Sequence, residues 1–99
     1  MGTYATIHCD VVSSDNIRTE WKRTVSIPFT PWVGLKIRDM GDARDPHTVN
    51  EIEWSLKDQE WTLFCEGEEW IDKARTGVVA EMISDGWTLE SEVDLNGIK

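Results

Sequence analysis

Apolar residues recur at every second position along most of this chain, and at every third or fourth over one stretch near its end. The clearest alternation runs from Glu51 to Cys65. Ile52, Trp54 and Leu56 alternate with polar residues, and after a polar break Trp61, Leu63 and Cys65 do the same. Period 2 marks half-buried strands. A hairpin pairing Lys57 with Glu60 sets Leu56 opposite Trp61, Trp54 opposite Leu63 and Ile52 opposite Cys65, with all six apolar side chains on one face. A slip of one residue would send a strand's whole apolar set to the other face. This register is therefore the expectation for the centre of the fold.

Upstream, Ile7, Cys9 and Val11 alternate with Tyr4, Thr6, His8 and Asp10. The cluster Ser13-Ser14-Asp15-Asn16 reads as a turn, and Trp21, Arg23, Val25 and Ile27 form the next alternating run. These make a first hairpin with long amphipathic arms, whose outer edge a partner could cover. Pro28 and Pro31 exclude a central strand and predict a rigid extended corner, with Phe29 and Trp32 turned toward the core. Val33, Leu35 and Ile37 predict a third strand, with Gly34 at a bulge or close approach. Residues 39–47 form the longest loop.

After Cys65 the period changes. Ile71, Ala74, Val78 and Met82 make the stripe of an amphipathic helix, with Glu68 and Glu69 at the positive end of its dipole. Gly77, unfavourable inside a helix, allows a start as late as Thr76. Gly86 is the expected left-handed residue after the helix, which places Trp87 against Met82 in a Schellman cap. Leu89, Ser91 and Val93 then alternate with Thr88, Glu90, Glu92 and Asp94, a last strand with an acidic outer face.

The fold class expected is α+β. An antiparallel sheet of five or six strands (3–12, 19–27, 33–38, 49–56, 60–66 and 87–94) carries one C-terminal helix (69–84) packed across it. A partly closed barrel is the alternative architecture. Residues 1–99 form a single domain. The expected core is Ile7, Cys9, Val25, Ile27, Leu35, Ile37, Ile52, Trp54, Leu56, Trp61, Leu63, Ile71, Ala74, Val78 and Met82.

Composition narrows the function classes. A chain of 99 residues with six Trp can build a core without metal or disulfide staples, burying about 65% of its unfolded surface. Its 19 acidic and 10 basic residues leave a net charge of −9, which disfavours general nucleic-acid binding. The charge is uneven: residues 1–65 carry 10 acids and 7 bases, and residues 66–99 carry 9 acids and 3 bases. Arg18 to Arg44 runs the other way, with six bases against Glu20, Asp39 and Asp42. There is no signal-peptide pattern and no apolar run near 18 residues long, so a cytoplasmic, non-membrane protein with Cys9 and Cys65 as buried thiols is expected.

Catalytic and cofactor motifs are absent: no phosphate-binding glycine loop, Cys-x-x-Cys, His-Glu-x-x-His or Gly-x-Ser-x-Gly occurs. A zinc site drawing on His8 or His47 with Cys9 and Cys65 meets the objection that His8 and Cys9 point to opposite faces of one strand, and core packing is favoured for both cysteines. Asp39, Asp42 and Asp45 do not match a known calcium loop. No catalytic, metal or cofactor residue is assigned.

Trp54, Trp61 and Trp87 are absorbed by the core. Trp21 sits among Arg18, Glu20, Lys22 and Arg23; core packing is its favoured fate, but Trp beside Arg is also a pattern of protein–protein hot spots. The binding residues expected are Arg18, Trp21 and Arg23 on one surface and Glu90 and Glu92 on another, with Trp32 in the corner as the next candidate. The function expected is a small acidic, non-enzymatic protein-interaction module, a stoichiometric inhibitor or accessory factor for a basic protein partner. The alternatives are a small-ligand-binding protein or an enzyme lacking a recognisable motif, and a homo-oligomeric structural subunit.

Overall fold

In the computed structural model, which describes residues 3–38 and 46–97, seven strands and one helix follow one another along the chain. They are β1 (Thr3–Ser13), β2 (Ile17–Ile27), β3 (Lys36–Ile37), β4 (His47–Ser55), β5 (Glu60–Cys65), β6 (Glu68–Trp70), α1 (Arg75–Ser84) and β7 (Thr88–Asp94), closed by a 3-10 turn at Leu95–Gly97. The sheet runs β3-β4-β5-β1-β2-β7, with β6 also paired to β1. It curves as a half-barrel with α1 packed on it.

The long first hairpin forms as its alternation requires. Thr3 pairs with Ile27 and Val12 with Arg18. Asn16 closes the turn at φ 63°, and its amide donates to the Ser13 carbonyl at 2.9 Å. Asn is among the few non-glycine residues that tolerate this left-handed conformation. Odd-numbered residues Ala5, Ile7, Cys9 and Val11 of β1 and Thr19 and Trp21 of β2 are buried on the face beneath α1. Inside that layer the Trp21 indole donates to Thr19 Oγ1 at 2.7 Å, and the Thr19 hydroxyl donates to the Val11 carbonyl at 3.1 Å. Every buried polar group in this relay has a partner.

The sheet is mixed, not antiparallel throughout. β5 lies parallel to β1, with Ala5 opposite Trp61 and Ile7 opposite Leu63, and β6 continues parallel with Val11 opposite Glu68. The central hairpin register also departs from the expected one. Trp54 faces Trp61, Ile52 faces Leu63 and Ser55 faces Glu60, two residues from the predicted pairing. A shift of two keeps every side chain on its face, so the alternation alone does not choose between the registers. Residues 56–59 make the turn, with Gln59 at φ 53°. Leu56 is thereby 84% exposed and Trp54 42% exposed, so neither belongs to the core.

The helix starts at Arg75, because residues 68–70 pair with β1 as a strand. Ile71 and Ala74 are consequently exposed, whereas Val78 and Met82 are fully buried. The Arg75 amide is capped from outside the helix: Asp15 Oδ1, in the first turn, accepts it at 2.9 Å. The C-terminus is a Schellman cap as expected. Trp87 N donates to Met82 O and Gly86 N to Ile83 O, both at 3.0 Å, with Gly86 at φ 94°. Arg23 Nη1 donates to Asp85 O at 2.6 Å, a cation at the negative end of the helix.

Candidate functional site

The segment around Trp21 does not present one surface. Trp21 is 1% exposed, in the core. Arg23 shares its face and is engaged at the helix C-terminus, while Arg18 lies on the opposite face, 3.7 Å from Glu20. Glu90 and Glu92 are likewise separated. A register shift places both Glu90 and Ser91 in the space between Leu89, opposite Trp21, and Glu92, opposite Thr19. Glu90 reaches His8 at 3.3 Å and Lys22 at 3.6 Å on the open face, whereas Glu92 accepts two 2.8 Å hydrogen bonds from Arg75. This Arg75 contact holds the Glu92 carboxyl below its ordinary range.

The corner also differs from expectation. Phe29 and Trp32 point outward, 44% and 54% exposed, with Val33 63% exposed beside them; Pro31 is the residue buried there. The two rings pack at 5.7 Å and a 53° tilt. Gly34 N donates to Val49 O at 2.7 Å, Leu35 N to Trp32 O at 3.1 Å and Val49 N to Leu35 O at 2.9 Å, tying the corner to β4. Gly34, at φ 96°, makes the turn that this docking requires.

Beneath α1 the mixed topology gathers chemistry that the strands do not hold separately. Cys9 on β1, His47 opening β4 and Glu68 on β6 converge, their donor atoms all within 4.8 Å of one another. Cys9 Sγ is 4.0 Å from His47 Nδ1, and Glu68 Oε2 makes a short contact with the same nitrogen. The Trp70 indole donates to the other Glu68 oxygen at 3.2 Å, and the Trp87 ring meets the His47 ring edge-on at 5.3 Å. Burial pushes the Cys9 thiol up, and the hydrogen bond from His47 offsets part of that rise. Cys9 and Cys65 are not bridged to each other.

His8, on the opposite face of β1 from Cys9, stacks on Phe64 at 5.2 Å instead. Glu68 was not among the sequence candidates. The signal for it is local: in Glu68-Glu69-Trp70, a strand that buries Trp70 must turn the Glu68 carboxylate to the same face. The loop acids Asp39, Asp42 and Asp45 lie outside the described residues.

A groove of about 260 Å³ runs beside the first turn, lined by Val12, Ser13, Glu69 and Trp70 among others. It is smaller than the 300–1,000 Å³ typical of ligand pockets. Among the described residues no helix is long and apolar enough to cross a membrane. The chain matches no protein-family model, no curated protein and no solved structure.

Proposed function

We propose that this chain is a non-enzymatic protein-interaction module that docks through the corner formed by Phe29, Trp32 and Val33. The observation carrying this reading is the exposed, mutually packed ring pair on a segment tied to β4 by backbone hydrogen bonds. Rigid aromatic side chains lose little conformational freedom on binding, and Trp is enriched at the energetic centres of interfaces. The net charge of −9 favours a partner whose apolar socket is rimmed by basic residues, so that association slows as salt shortens the Debye length. Arg18, Glu90 and Glu92, already paired within the chain, contribute at most to the rim.

The test immobilises the wild-type chain and a Phe29→Ala, Trp32→Ala variant against extract of the native host, then measures the captured protein in purified form. Loss of about 2 kcal/mol, roughly 30-fold in affinity, is the expected effect of removing a hot spot. An affinity unchanged by the corner variant but lowered by Arg18→Glu or Glu90→Lys would sink the reading in favour of the charged sheet face. Concentration-dependent sedimentation, lost in the corner variant, would identify the partner as a second copy.

A further inference from the structure

We propose that Cys9, His47 and Glu68 are the three protein ligands of a zinc ion, held through Sγ, Nδ1 and a carboxylate oxygen. The donor atoms come from β1, β4 and β6: β6 pairs with β1, and β4 reaches them from the far side of β5. Their chemistry suits zinc: one soft thiolate, one imidazole and one carboxylate, the donors found in tetrahedral sites.

A tetrahedral zinc ion with bonds of about 2.0–2.3 Å separates its ligand atoms by about 3.3–3.8 Å. The Cys9–His47 separation of 4.0 Å is close to that already. Glu68 needs a small rotation away from His47 Nδ1, and it is the least buried of the three, with its side chain 21% exposed against 4% for His47. Three protein donors leave the fourth tetrahedral position for water.

Two further features point to a metal and not to core packing alone. Both the thiol and the carboxylate aim at one nitrogen, His47 Nδ1. A single nitrogen makes one good hydrogen bond, whereas a cation between the three atoms satisfies all of them. The supporting shell is also in place. Trp70 donates to the second carboxylate oxygen and Trp87 packs against the imidazole, contacts that orient ligands before the metal arrives. A divalent ion with one thiolate, one carboxylate and a neutral imidazole forms a neutral set, so binding leaves no net charge in the core. The Cys9 proton is released on binding. Zinc here would tie β1, β4 and β6 together while its three protein ligands leave one coordination position open.

The experiment uses the full chain, stripped with a chelator and titrated with zinc alone against a chromophoric competitor. One zinc per chain is expected, with affinity lowered at least tenfold in Glu68→Gln and in Cys9→Ser, and unchanged in Cys65→Ala. Cobalt in place of zinc should give thiolate-to-metal charge-transfer absorption, which in Cys65→Ala, where Cys9 is the one remaining thiol, reports Cys9 even if the Cys9 variant does not fold. Zinc held no more tightly by wild type than by Glu68→Gln would overturn the assignment. So would a cobalt spectrum without the thiolate band, or loss of binding in Cys65→Ala.

Discussion

Gly86→Ala is a sharp probe of how the helix is fastened to the sheet, because two separate costs meet at one methyl group. The residue adopts φ 94°, which an L side chain rarely occupies. Forcing a non-glycine residue into left-handed conformation costs about 1–2 kcal/mol. A Cβ there also meets Arg23 Cζ at 3.3 Å and Nη2 at 3.5 Å, so the guanidinium must move. That guanidinium donates to Asp85 O at 2.6 Å. Hydrogen bonds to charged groups contribute about 1.5–3 kcal/mol, and partial exposure puts this one toward the low end. The expected loss is therefore about 2.5–3.5 kcal/mol in urea denaturation with an unchanged m-value. In an Arg23→Ala background the same substitution should cost only the conformational part, about 1–2 kcal/mol. A loss below about 0.5 kcal/mol in the wild-type background would refute the left-handed cap, and equal losses in both backgrounds would refute the Arg23 contact.

Other expectations follow from the same structure. Trp21→Ala should cost about 3–5 kcal/mol, as buried Trp truncations do, and Trp32→Ala within about 1 kcal/mol, both read from denaturant midpoints; comparable losses would mean that the corner ring is buried. Leu56→Asn should change stability by no more than about 0.5 kcal/mol, since the side chain sits in an exposed turn. A loss above 2 kcal/mol would restore the register that pairs Leu56 with Trp61. Asp15 is held below the ordinary carboxylate range chiefly by the Ser13 hydroxyl and also by the Arg75 amide, and Glu92 by Arg75. A depressed folded value contributes stability above the unfolded pKa of about 4 and loses it as pH falls through the folded value. Melting temperature should accordingly drop on acidification below about pH 4, and less steeply in Asp15→Asn with Glu92→Gln; identical slopes would remove these two carboxylates from the acid response.

What could be read from the sequence was what is local. The first hairpin was legible because β1 and β2 are long, alternate cleanly and flank one polar turn. The helix C-terminus was legible because Gly86 and Trp87 are spaced for one specific cap. The central hairpin register was not, since a period of two is blind to a shift of two and the four-residue turn carries no Asn-Gly or Asp-Gly signal. The helix starts later than the stripe predicts because Ile71 continues the spacing of Val78 and Met82 by coincidence, while Trp70 is the buried residue of a short strand. Glu90 and Glu92 part company through a register shift that no pattern in β7 announces. The parallel pairing of β5 and β6 with β1 joins residues more than fifty positions apart, and nothing along the chain encodes it visibly. Cys9, His47 and Glu68 meet only through that pairing, and along the chain His47 reads as the end of a loop and Glu68 as a helix-dipole carboxylate.

The convergence of those three side chains is tested most directly by anomalous diffraction at the zinc edge from crystals of the full chain grown with zinc. The account predicts one strong peak beneath α1, about 2.0–2.3 Å from Cys9 Sγ, His47 Nδ1 and a Glu68 carboxylate oxygen. A map with no peak there, with zinc only on surface carboxylates and Glu68 still bonded to His47, would contradict it.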